Sequence, residues 1–283
     1  MKKKLFLILF LGCFALPQLA FAGAWTLPQN KVWTEISTKM SWSKYDFDSD
    51  RDLERKTRSA ESWGWSVNPK MEFGFTDWFT LLGGLEYKES NYKEYNRPEE
   101  WGSYSVKSHG ITCMDFGGKF RLLKDPVVVS TQIKTSFYGG KGKNESPQIS
   151  DGNDAIDVRA LIGKTFDTEI PFYLGAETGY RFKNRHVCND IPVFIEGGFW
   201  PVEWLLIKSE IDAYISHDGT GNIEKEYAIW RVGPVFQLLT GSKGDDITRA
   251  EDAFNIGFQY GMVVWGRNTA ADQEFVVKVA WQF

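Results

Sequence analysis

FVVKVAWQF, residues 275–283, decides the fold. Phe275, Val277, Val279, Trp281 and Phe283 are apolar, and Val276, Lys278, Ala280 and Gln282 stand between them. A strict period of two describes a strand with one face in an apolar medium and the other in a polar one. The stretch closes on an aromatic residue.

The same alternation recurs from Val32 onward. One face of the first run carries Val32, Thr34, Ile36, Thr38, Met40 and Trp42, and the next carries Trp63 to Phe75 at every second position. Further runs begin at Phe79, Tyr104, Val127, Ile156, Phe172, Ile191, Leu205, Ala228 and Phe254. Short and long polar connections separate them in turn. The pattern predicts an all-β chain: one antiparallel up-and-down transmembrane β-barrel of about twelve strands over residues 23–283, an even number as in bacterial single-chain barrels. A soluble β-sandwich also alternates but seldom carries so many outward aromatics. Pro69 and Pro234 remove ladder donors in mid-strand, so bulges or weakened pairing are expected there.

The N-terminal end points to export. Lys2, Lys3 and Lys4 precede an apolar core from Leu5 to Leu16, and Ala20-Phe21-Ala22 flanks a cleavage site before Gly23. Residues 1–22 are therefore expected to be a cleaved signal peptide. The run is shorter than the roughly 20 residues of a membrane helix and is broken by Pro17. Cys13 follows Gly12 as in a lipoprotein, but Phe10 and Leu11 fit a lipobox poorly.

Composition agrees with a barrel wall: 12 Trp, 11 Tyr and 21 Phe in a chain with no later apolar run of helical membrane length. Three lysines leave with the signal, so 30 basic residues remain against 37 acidic, a formal charge of −7. That balance argues against a nucleic-acid partner. An oxidising compartment would permit a bond between Cys113 and Cys188, yet the pattern sets one in the wall and the other in an outer loop, so both are expected to stay unbonded.

Connection length sets the orientation, since outer-membrane barrels keep short periplasmic turns and long outer loops. The long connections are roughly 44–61, 89–102, 139–154, 183–190, 216–225 and 266–273, which leaves both mature termini in the periplasm. The stretch 239–252 is long for its side and reads as a flexible excursion or a short helix.

If the apolar parity faces lipid, the other faces the lumen. The candidate channel-lining residues there are Asp115, Lys119, Arg121, Lys134, Asp157, Arg159, Glu177, Arg181, Glu196, Lys208, Glu210, Asp212, Arg231 and Lys278, with Glu35, Lys39, Lys70, Glu72, Glu86 and Lys88 of the same parity. Charges on a lipid face are costly, which supports the assignment. Tight turns predict three cross-strand ion pairs: Asp115 opposite Lys134, Asp157 opposite Arg181 and Glu196 opposite Lys208. The lumen then reads either as a narrow polar channel or as a salt-bridged plug, because twelve strands leave a modest bore. Near balance of charge argues against strong ion selectivity. Lys119, Arg121, Arg231 and Lys278 are left over as a basic patch, or as partners of nearby glutamates.

Enzymatic readings are weak. His109 lies near Ser105 and Ser108, His217 sits in Ser216-His217-Asp218, and His186 is in a short loop; none has the spacing of a nucleophile and its base. Asp46-Phe47-Asp48-Ser49-Asp50 lacks the glycine and terminal glutamate of a calcium loop. No metal or cofactor is expected. Trp33, Trp42, Trp63, Trp78, Trp200, Trp204 and Trp281 fall near strand ends, as an interfacial girdle requires.

The terminal strand ending at Phe283 resembles the C-terminal signature of Gram-negative outer-membrane β-barrels. The resemblance implies recognition of Phe283 by the barrel-assembly machinery and a setting among outer-membrane lipid and lipopolysaccharide. Gly23-Ala24-Trp25-Thr26-Leu27-Pro28 resembles the opening of barrels grouped with phenol meta-pathway transporters, which implies uptake of aromatic or other small organic compounds. The expectation is a porin-like channel for passive or weakly selective passage of small solutes. The alternatives are a rim enzyme acting on lipid or lipopolysaccharide, and a structural or adhesion barrel.

Overall fold

The structure is a computed structural model and describes residues 23–95, 98, 102, 104–138, 147–150, 152–184, 188–218, 224–240 and 252–283. The expected signal peptide, His186 and most of the 239–252 connection lie outside the described residues.

Alternating β-branched and aromatic residues suit a pleated wall, and the runs become twelve long strands. These are β1 (Val32–Ser43), β4 (Glu61–Thr76), β5 (Phe79–Glu94), β6 (Tyr104–Leu123), β7 (Val128–Tyr138), β8 (Ala155–Phe166), β9 (Phe172–Lys183), β10 (Asn189–Val202), β11 (Leu205–His217), β12 (Glu226–Thr240), β13 (Asp252–Arg267) and β15 (Gln273–Gln282). Each pairs antiparallel with its neighbours, and β15 returns to β1, so the sheet closes and no long edge is left bare. At the seam Val32 and Phe283 exchange both backbone hydrogen bonds, at 2.9 and 3.0 Å. Three short strands, β2 (Tyr45–Phe47), β3 (Leu53–Arg55) and β14 (Thr269–Ala270), form a separate sheet from the first and last outer loops.

The apolar parity faces out. Met40 and Phe116 are each 59% exposed, and Phe275, Val279 and Trp281 of the terminal strand are also exposed. Such a band around the whole wall is the surface a barrel presents to hydrocarbon. Trp42 and Trp63 mark its long-loop end, and Trp78, Trp204 and Trp281 its short-turn end. Two expected girdle members turn inward instead. Trp33 is buried with Leu27 and Ala280; Trp200 packs 5.7 Å from the ring of buried Tyr173 and donates from Nε1 to Gln237 Oε1 at 2.8 Å. Both sit on the inward parity, which outweighs the preference of indole for an interface.

The prolines leave the register intact. Pairing runs from Val67 with Tyr87 to Lys70 with Gly84, and from Val232 with Tyr260 to Val235 with Gly257, without a shift. Proline interrupts the ladder there and adds no residue to it. Bulges fall elsewhere, including Arg121/Leu123 in β6 and Phe199/Val202 in β10.

Candidate functional site: the barrel lumen

The inward parity of the strands carries the candidate residues. Register places Asp157 opposite Arg181 as expected, but sets Asp115 opposite Ser136 and Glu196 opposite Glu210. Both turns lie further along the chain than the sequence suggested, with Leu123 opposite Val129 and Val202 opposite Leu205, and each bulge takes back only one residue of that displacement. Diagonal neighbours remain within reach of a lysine. Lys134 Nζ lies 3.1 Å from Asp115 Oδ2, and Lys208 Nζ lies 2.6 Å from Glu196 Oε2. Asp157, by contrast, is gripped from its own strand: Arg159 donates to its two oxygens at 2.8 and 2.7 Å.

The lumen is divided. In the sector of β7 to β11 it is filled. Arg159 also reaches Glu177 (3.3 Å) and the Tyr214 hydroxyl (3.1 Å). Arg181 lies over the rings of Tyr138 and Tyr214, 5.5 and 5.3 Å from their centroids, and donates to the Tyr138 hydroxyl.

A strap of residues 23–31 closes off part of the short-turn end, running inside the wall from β10 to β4. The Ala24 carbonyl accepts from Ser130, and the Trp25 carbonyl from Lys119 Nζ at 3.1 Å. Leu27 N–H donates to Thr80 Oγ1 at 2.9 Å, and Asn30 N–H to the Gly74 carbonyl at 2.7 Å. The Trp25 indole lies edge-on to Tyr173 and occupies the space where a Cβ on Gly163 would stand. Gly74 is needed likewise, since a Cβ there would collide with the Pro28 carbonyl oxygen.

On the opposite side, between β11–β13, β15, β1 and β4, lies a cavity of about 330 Å³. Glu210 is its electrostatic centre, buried with Lys208 at 3.1 Å, Arg231 at 3.3 Å and Lys278 at 3.4 Å. Arg231 also binds Glu274 and reaches Asp212 at 3.7 Å. Looser pairs face the same space: Lys39 with Glu274 at 3.8 Å and Lys70 with Glu35 at 3.9 Å.

Of the two readings of the basic residues, pairing with glutamates holds for three. Arg231 and Lys278 are tied to Glu210, and Lys119 is tied to Glu72 at 3.3 Å and to the strap. Arg121 stands apart at the bulged, short-turn end of β6. Lys208, Glu210, Asp212, Arg231 and Lys278 line the cavity; Asp157, Arg159, Glu177 and Arg181 belong to the filled sector. Gln259 and Glu274 line the cavity too, and their period-two spacing on β13 and β15 could have marked them.

Over the mouth at the long-loop end, the small sheet is tied to the wall by Arg51, which meets Glu226 at 2.8 Å and covers the Trp265 ring at 5.2 Å; Lys56 meets Asp46 at 2.6 Å within the loop itself. Arg267 pairs with Glu224. Burial pushes the Asp272 carboxyl up, against the pull of Lys88, Lys56 and Lys39, and a hydrogen bond to Glu61 pushes the Lys44 ammonium up.

The aspartate-rich stretch is used structurally. Asp48 Oδ1 accepts from the N–H groups of Asp50 and Asp52, each at 2.8 Å. His109 is exposed while Ser108 is buried, and His217 meets the exposed Asp218 at 3.3 Å and stands edge-on to the Tyr180 ring. Cys113 and Cys188 are buried free thiols, and the Cys113 Sγ lies 3.2 Å from Asp115 Oδ1.

The chain matches no protein-family model and no curated protein. Among the solved structures that match, the transport unit of the autotransporter AIDA-I from Escherichia coli has a TM-score of 0.47 at 10% identity, covering 96% of each chain. An outer membrane channel from Pseudomonas putida F1 has a TM-score of 0.66 at 11% identity, covering 94% of this chain and all of that one. Over nearly its whole length, then, this chain has the closed β-barrel fold of a solved bacterial outer membrane channel.

Proposed function

We propose that the protein is exported with removal of residues 1–22, inserts into the outer membrane, and acts there as a passive, weakly selective channel for small solutes. The observation that carries this reading is the cavity of about 330 Å³ beside the filled sector of the lumen. A wall that only needed stiffening would be packed all round, whereas here a space remains open beside the Arg159 cluster. Five cations and five carboxylates line that space, so neither sign of ion is favoured. The strap and the Arg159 cluster narrow the passage to a small bore.

Planar-bilayer recording of the refolded chain tests the reading. Small, steady single-channel currents with a reversal potential near zero in a salt gradient are expected. A barrel that inserts and carries no current would overturn it.

A further inference from the structure

The cavity carries three carboxamides with buried hydrogen-bonding atoms that no group among the described residues satisfies. Gln259 is 1% exposed, and neither its Oε1 nor its Nε2 has a partner among the described residues. Asn255 Oδ1 and Asn68 Oδ1 are in the same condition, and all three side chains line the cavity. Unpaired buried amides are costly and uncommon in folded proteins. Four such atoms around one space of ligand size mark a surface that a solute can satisfy.

The charges nearby are already committed to one another. Glu210 is held by three cations, and Glu274 by Arg231 and Lys39. An entering ion would have to break these pairs in a confined site, whereas a neutral solute would leave them standing. Trp33, Leu206 and Val276 add apolar wall on which ring C–H groups can lie. A simple aromatic solute would cover that wall yet leave the amides unmet. A hydroxylated ring answers both.

We propose that the cavity is a binding subsite for a small, neutral, polyhydroxylated solute of monosaccharide size, held by Gln259, Asn255 and Asn68. The inference rests on the channel reading and names what passes.

The full chain is examined by calorimetric titration with glucose in detergent, and by bilayer current with glucose added. Saturable binding and a matching saturable fall in current are expected. Gln259→Leu, which keeps the bulk and removes both hydrogen-bonding atoms, should weaken the apparent affinity by about tenfold or more. Gln132→Leu, between Lys119 and Arg159 on the ladder of the filled sector, should leave it unchanged. If Gln259→Leu does not fold, Asn255→Leu replaces it with the same expectation. Currents indifferent to glucose, equal block in the variant, or block by glycine betaine or phenol alone would overturn the subsite. A complete lack of ion current would overturn the channel reading instead, and the titration would then judge the subsite by itself.

Discussion

Glu210 holds three cations from three strands in a buried position, Lys208 on β11, Arg231 on β12 and Lys278 on β15. Removing its charge leaves them to repel one another with little water to screen them. Glu210→Gln should therefore destabilise the barrel by about 3 kcal/mol, the order seen when one partner of a buried ion pair is lost. It should also move the reversal potential toward anion preference. Thermal unfolding in detergent and a salt-gradient recording check the two effects separately. Gly163 matters for the opposite reason, because it is the space its missing side chain leaves to Trp25. Gly163→Val should expel the indole and loosen the strap, raising single-channel conductance. The wall itself should lose little stability, since valine suits a strand better than glycine.

At the level of elements, twelve strands were legible because each repeats the two-residue period several times. The strands β2, β3 and β14 are two or three residues long, too short to show any period. The strap was invisible for a related reason: residues 23–31 have no periodicity and are held by partners far along the chain, from Gly74 to Ser130. Register was readable to within two residues. Two turns fall further along the chain than their sequence suggested, and long lysine side chains bridged the shift, so the charge pairing of Asp115 with Lys134 and of Glu196 with Lys208 survives. The ion pair that ties the small outer sheet to the wall, Arg51 with Glu226, is partly exposed, and such pairs contribute little to stability. Arg51→Ala should accordingly change unfolding by less than about 1 kcal/mol. It should nevertheless make the first outer loop more readily cut by protease added to intact cells, because Glu226 and Trp265 lose their clasp. Unchanged cleavage would show that the backbone pairing of β14 with β2 holds the loop alone.

Across the whole molecule, lipid-facing apolar residues and a polar interior reverse the arrangement of a soluble domain. That inversion was written in the sequence, whereas the division of the lumen into filled and open sectors was not, because parity tells which way a side chain points and nothing of which charges meet. Closure adds a further demand. The seam joins β1 to β15, with Thr34 bonding Trp281 across 247 residues of chain. We expect removal of Phe283 to lower the amount of folded barrel in the membrane, since it takes away both bonds with Val32 and the aromatic end of the last strand. Heat-modifiable migration on gels reports that amount, and an undiminished folded band would count against it. The earliest wall strand to be synthesised must wait for the latest before either gains its second neighbour. A chain cut short anywhere before β15 therefore remains an open sheet with two bare edges, prone to aggregation and to capture by proteases. The seam thus works as a test of completeness, passed only by a chain whose synthesis has gone through β15.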